Sequence, residues 1–209
     1  MNYGFFPGGD GLYDPLAART GPLTTIILGS NFGCETGFID DQGNLLITDE
    51  RGNATWRPLL KRLRAAQIDP HECFFTNAWP FLHLGDGNLG PVESWLRDPA
   101  LMSSCMAFFE QTVNLIGPKL IIALGTGPAA FLGNLWKERV AIWSKYSIDS
   151  LDELPLAIIS LPSNPLVCVA ITHPSMPNAW RRREPYKHEA GEIKLLIEAR
   201  RKSLFALGS

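Results

Sequence analysis

The chain is short of cysteine, of histidine, of net charge and of long apolar runs, and each shortage removes a class of function. Its four cysteines are Cys34, Cys73, Cys105 and Cys168. None forms a C-x-x-C pair, and no histidine stands at ligand spacing beside one, so no metal site and no cofactor are expected. The thiols read instead as small, reduced, buried apolar groups. The formal net charge is −2, so the protein as a whole does not attract nucleic acid, and any such partner must be met by a local basic patch. The longest uncharged stretch, near Leu120–Trp136, contains Gly and Pro and falls short of the roughly 20 residues a membrane helix needs. The N-terminal MNYGFFPGGDG lacks a basic start and an apolar run, so no secretory leader is expected. These readings point to a cytoplasmic monomer with no membrane partner.

What is present is enough for a full core: 45% of the 209 residues are apolar. The length fits a single domain over 1–209, opening with an irregular segment at 1–22 rich in Gly, Pro and turn formers. Thr24–Gly29, Cys73–Ala78 and Lys119–Gly125 are short apolar runs that read as buried strands, and Leu156–Leu161 and Val167–Thr172 are two β-rich runs around the turn formers Pro162-Ser163-Asn164-Pro165. Apolar residues at 56, 59, 60, 63 and 66 have helical spacing. Helices are also expected over Pro99–Ile116, from Pro128 to about Trp136, and from about Glu184 to Leu204. Strands alternating with helices imply an α/β fold with a parallel sheet covered on both faces.

Three of the strands end in chemistry. The first runs into Gly29-Ser30-Asn31-Phe32-Gly33, the second ends at Asn77, and the last ends at His173-Pro174-Ser175. In a parallel sheet all three side chains emerge on one edge, where open α/β sheets bind ligands. A carboxamide both donates to and accepts from an amide-like edge, as Asn does with adenine. An imidazole can donate to an oxygen that turns negative as a bond breaks. The plainer reading of each is a turn residue, a strand-end cap and a packed histidine.

These residues resemble the uracil-DNA glycosylase superfamily. The turn Gly29-Ser30-Asn31-Phe32-Gly33 is similar to its first motif in the branches that use Asn, and His173-Pro174-Ser175-Met176 is similar to its last. FFTNAWP resembles the strand whose Asn reads the base, and the stretches LLKRLRAAQIDPHECFFTNA and FFEQTVNLIGPKLIIALGTGPAAFL resemble the bacterial type-4 branch in order and spacing. The resemblance implies a three-layer α/β/α sandwich around a four-stranded parallel sheet. It implies an enzyme that flips uracil or a related deaminated base out of DNA and excises it. Asn31 and His173 would be catalytic. Gly29, Ser30, Phe32, Phe38, Trp56 and Asn77 would bind the base, with Phe38, Trp56 or Phe32 stacking on it. Ser175, Met176, Arg181, Arg182 and Arg183 would meet DNA.

The chain departs from that pattern in three places. Phe32 replaces the Pro of the first motif, no carboxylate stands at Asn31, and only Cys105 matches a ligand of the type-4 iron–sulfur cluster, so no cluster is expected. An amide is no strong base. The alternative is therefore a glycosylase-like module that binds a base without cleaving it. A dinucleotide site at Gly125-x-Gly127-x-x-Ala130 is disfavoured, because Pro128 removes an amide that would cradle phosphate.

Overall fold

A computed structural model describes residues 11–14, 21–31, 55–81, 96–161, 165–176, 183 and 186–205. The strands are β1 (Thr25–Gly29), β2 (Cys73–Asn77), β3 (Leu120–Leu124), β4 (Leu156–Ser160) and β5 (Pro165–Ile171). The helices are α1 (Trp56–Ala65), α2 (Pro99–Ile116), α3 (Thr126–Leu135), the single turn α4 (Lys137–Val140), α5 (Ile148–Glu153) and α6 (His188–Phe205).

The strands form one sheet in the order β2-β1-β3-β5-β4. The pairs β1–β2, β1–β3 and β3–β5 are parallel, and β4 runs antiparallel to β5. The sheet thus has five strands, not the four parallel ones the resemblance implied. The physical reason is the connection: only residues 161–164 separate β4 from β5. A parallel return needs a crossover of a dozen or more residues, whereas a short loop closes a hairpin.

Alternation along the strands divides the core in two. Ile27, Phe75, Ile122 and Ile171 pack with Leu59, Leu60 and Leu63 of α1 and Leu195, Leu196 and Ala199 of α6. On the other face Ile26, Leu28, Ile121 and Ala170 pack with Phe109 of α2 and Phe131 of α3. Each buried Leu, Ile or Phe among them contributes about 1.5–3 kcal/mol by leaving water. Helix, sheet and helix therefore stack as three layers, and β1, β3 and β5, buried on both faces, are nearly all apolar.

Local signals place the helix ends. Asp98 accepts from the Ala100 and Leu101 amides, both at 3.0 Å, just before Pro99 opens α2. Gly117 closes the helix in the left-handed region, at φ 62°. On the outer side of β2, Leu12 bridges Phe74, and the Phe75 amide donates to the Gly11 carbonyl at 2.7 Å.

Candidate functional site

From β1 the chain passes to β2 on one side and then to β3 on the other, so the strand order switches at β1. Crevices outside the carboxyl ends at such switch points bind ligands. Hydrogen bonding continues past the strands here: the Ala78 amide donates to the Gly29 carbonyl and the Trp79 amide to the Ser30 carbonyl, each at 2.9 Å. Gly29 pairs in register with Asn77, which ties the two ends together. Across the switch, the Gly125 amide donates to the Ile171 carbonyl at 2.7 Å and aligns the end of β3 with that of β5.

Asn77, Asn31 and His173 thus all stand at the carboxyl ends of parallel strands. Within β2, Asn77 lies two residues after Phe75 and so on the side covered by α1 and α6. Adjacent strands are about 4.8 Å apart, so β1 and β5 stand about 10 Å apart across β3.

The Asn77 side chain is buried at 1% exposure, yet among the described residues neither its oxygen nor its nitrogen has a hydrogen-bond partner. An unsatisfied buried amide costs on the order of 1–3 kcal/mol and calls for an explanation. A ligand edge that supplies one acceptor and one donor is such an explanation. The Ser30 hydroxyl and the Thr172 hydroxyl are buried without partners as well. Asn31 is buried as well.

His173 is half-buried, and its Nδ1 lies 2.8 Å from Ser175 Oγ and accepts from the Ser175 amide at 3.4 Å. An accepting Nδ1 leaves the proton on Nε2. Burial, and after it the Arg62 guanidinium, pushes the imidazolium pKa down to about 4, so the ring is neutral at pH 7. The site therefore offers a neutral N–H donor. The Met176 amide donates to the His173 carbonyl at 2.9 Å and closes the turn after it.

Behind His173 lies a buried ion network that sequence reasoning missed. Glu192 Oε2 accepts from Arg62 Nη1 at 2.9 Å, and Glu192 Oε1 accepts from Arg183 Nη1 at 3.4 Å. The signal was available: Arg62 interrupts the stripe of Leu59, Leu60 and Leu63, and Glu192 precedes Leu195, Leu196 and Ala199 at core spacing.

Two assignments are corrected. Trp56 is 2% exposed and packs edge-on to Phe75, with ring centroids 4.9 Å apart, and beside Tyr13. It fills the core under β2 and is not placed to stack on a base. Arg183 is fully buried: it donates to Asp152 Oδ1 at 2.7 Å and to the Ala170 and Leu151 carbonyls. Its donors serve the core, not a phosphate. Ser175 and Met176 are exposed, Met176 at 51%. Phe32, Phe38, Arg181 and Arg182 lie outside the described residues.

The site is thus a largely parallel α/β sheet whose strand order switches at β1 and whose carboxyl edge carries amide and imidazole side chains. Among known families, the model described as the uracil DNA glycosylase superfamily matches residues 38–194, and the chain belongs to that superfamily. The matched span contains Asn77 and His173 and begins after Asn31. No curated protein matches the chain.

The iron–sulfur cluster of the type-4 branch does not fit the cysteines described. Cys73 faces α1 and α6, whereas Cys105 and Cys168 sit in the opposite core, and burial pushes all three thiols up. Among the described residues no helix is long and apolar enough to cross a membrane.

Proposed function

We propose that the chain is a monofunctional DNA glycosylase that excises uracil or a related deaminated base, acting as one domain over 1–209 and as a monomer. The observation that carries this reading is Asn77, a buried carboxamide with both polar atoms unpartnered among the described residues, on the same edge as a neutral histidine. Flipping a base out of the stack costs a few kcal/mol, least for a mispaired base. The extruded uracil presents N3–H beside O4. Asn77 accepts from the first and donates to the second, and held in that orientation it meets cytosine donor to donor and acceptor to acceptor.

As the C1′–N1 bond breaks, its electron pair leaves with the base and negative charge builds on uracil O2. His173 Nε2–H donates to that oxygen, and a fixed donor at a developing anion is worth several kcal/mol. Asn31 orients a water toward C1′ of the sugar cation. The amide takes no proton, so the water proton leaves after attack, to the uracil anion or to solvent. Phe32 and Phe38 remain the stacking candidates, and the segment from Ser175 and Met176 through Arg181 and Arg182 is the surface proposed to meet DNA.

The test is a cleavage assay on single- and double-stranded oligonucleotides containing uracil, hypoxanthine or xanthine. Alkali-labile sites that vanish with Asn31→Ala, Asn77→Ala or His173→Ala support the enzyme. The absence of a carboxylate at Asn31 favours a second reading, a binding module, and binding of these oligonucleotides without cleavage of any establishes it.

A further inference from the structure

We propose that Glu192 is a positioning residue for His173, acting with Arg62 through the backbone of Thr172. The proposal rests on the reading of His173 as the group that meets the departing base. Strand β5 ends at Ile171, so His173 stands beyond the ladder and cannot be held by sheet hydrogen bonds. Side chains from two helices take over. The Thr172 amide donates to Glu192 Oε1 at 2.6 Å, and the Thr172 carbonyl accepts from Arg62 Nη1 at 3.4 Å. Both peptide groups of Thr172 are therefore gripped, one from α6 and one from α1.

The grip is itself anchored. The second oxygen of Glu192 accepts from Arg62, and Arg183 links Glu192 to Asp152 and to the carbonyls of Ala170 and Leu151. Arg62, Arg183 and Glu192 are all fully buried. Well-packed apolar side chains are often as stable as a buried ion triad, so stability alone does not account for one here. Fixing a backbone beyond the end of a strand is a task that apolar side chains cannot perform.

The same grip sets the charges around the ring. Arg62 acts on it from α1, and Glu192 of α6 holds that guanidinium, with Arg183 and Asp152 behind. Ser175 lies in its own loop, and Gly125 adjoins it at the start of α3, whose first turn carries no acidic residue. Lys61 and Glu189 pair on the solvent side of the α1–α6 contact. Moving Glu192 would let the guanidinium shift relative to the imidazole, changing both where the ring points and when it titrates.

The experiment follows the His173 ring and the Thr172 amide by NMR, together with single-turnover cleavage. In the wild-type protein the Thr172 amide proton should resonate downfield and exchange slowly. The charge-balanced double variant Arg62→Met, Glu192→Gln should titrate His173 higher, by up to about one pH unit. It should cleave about tenfold or more slowly at pH 7 with substrate affinity little changed. Arg62→Lys keeps the charge and should restore most of the titration. A purely structural role predicts a lower melting temperature with an unmoved rate, and that result overturns the proposal. A Thr172 amide that exchanges like an exposed loop in the wild type overturns it even where the variants do not fold. A protein that cleaves no oligonucleotide removes the enzymatic reading, and the Thr172 amide exchange still decides the clamp.

Discussion

Gly125 lies against His173: a Cβ added at Gly125 would stand 3.3 Å from the His173 Cβ and 3.6 Å from its amide nitrogen. Gly125 is also at φ 95° and ψ 179°, a region that L side chains rarely adopt. Gly125→Ala therefore carries two penalties, backbone strain of about 1–3 kcal/mol and a push on the histidine. The melting temperature should fall, and cleavage should fall further than the stability loss explains. Full activity in a Gly125→Ala protein that still folds would show that the contact does not position the ring.

His173 makes stability depend on pH. Its pKa falls from 6.5 in the unfolded chain to about 4 in the folded one. Between those values the unfolded state binds the extra proton, so stability drops as pH falls through that window. For a half-buried ring the loss is on the order of 1–2 kcal/mol. Urea unfolding at pH 7 and pH 4.5 should show a smaller drop for His173→Gln than for the wild type. Equal drops would mean that the ring titrates normally in the folded state.

Asn77→Leu should separate stability from function. It replaces an unsatisfied buried amide with an apolar group of similar size, which is neutral or stabilising by about 1 kcal/mol. Excision should be lost while the melting temperature holds or rises. A marked loss of stability would show that the amide serves the fold.

Arg183 is expected to behave as a core residue. Arg183→Met removes a buried guanidinium from both Glu192 and Asp152 and should cost about 3–5 kcal/mol in urea unfolding. The gentler Arg183→Lys should leave the salt dependence of DNA binding at the wild-type slope, because no phosphate contact is removed. A slope reduced by about one unit would return Arg183 to the DNA surface.

Much of this arrangement was legible in the sequence, for a physical reason. Buried strands are written as apolar runs, so Asn77 and His173 stand out as polar terminations, and parallel order puts them on one edge. Membership of the superfamily was legible from the same stretches. The fifth strand was visible as the run Leu156–Leu161, but the implied count of four left it out. Partners distant in sequence were not legible. Arg183 pairs with Asp152, 31 residues away, and a run of arginines does not say which one turns inward. Trp56 lay in its own helical stripe, and its spacing with 59, 60 and 63 favoured the core over the ligand.

The short bridge at Gly11 and Leu12 has a consequence for how the protein is handled. Strand β2 is the outermost parallel strand, and residues 11–14 cover its free side. An uncovered strand edge is a template for pairing with another molecule. A chain shortened to begin at residue 21 should therefore keep its strand ends and yet associate with itself. Light scattering at rising concentration would reveal the exposed edge, and a shortened chain that stays monomeric would show that β2 needs no cover.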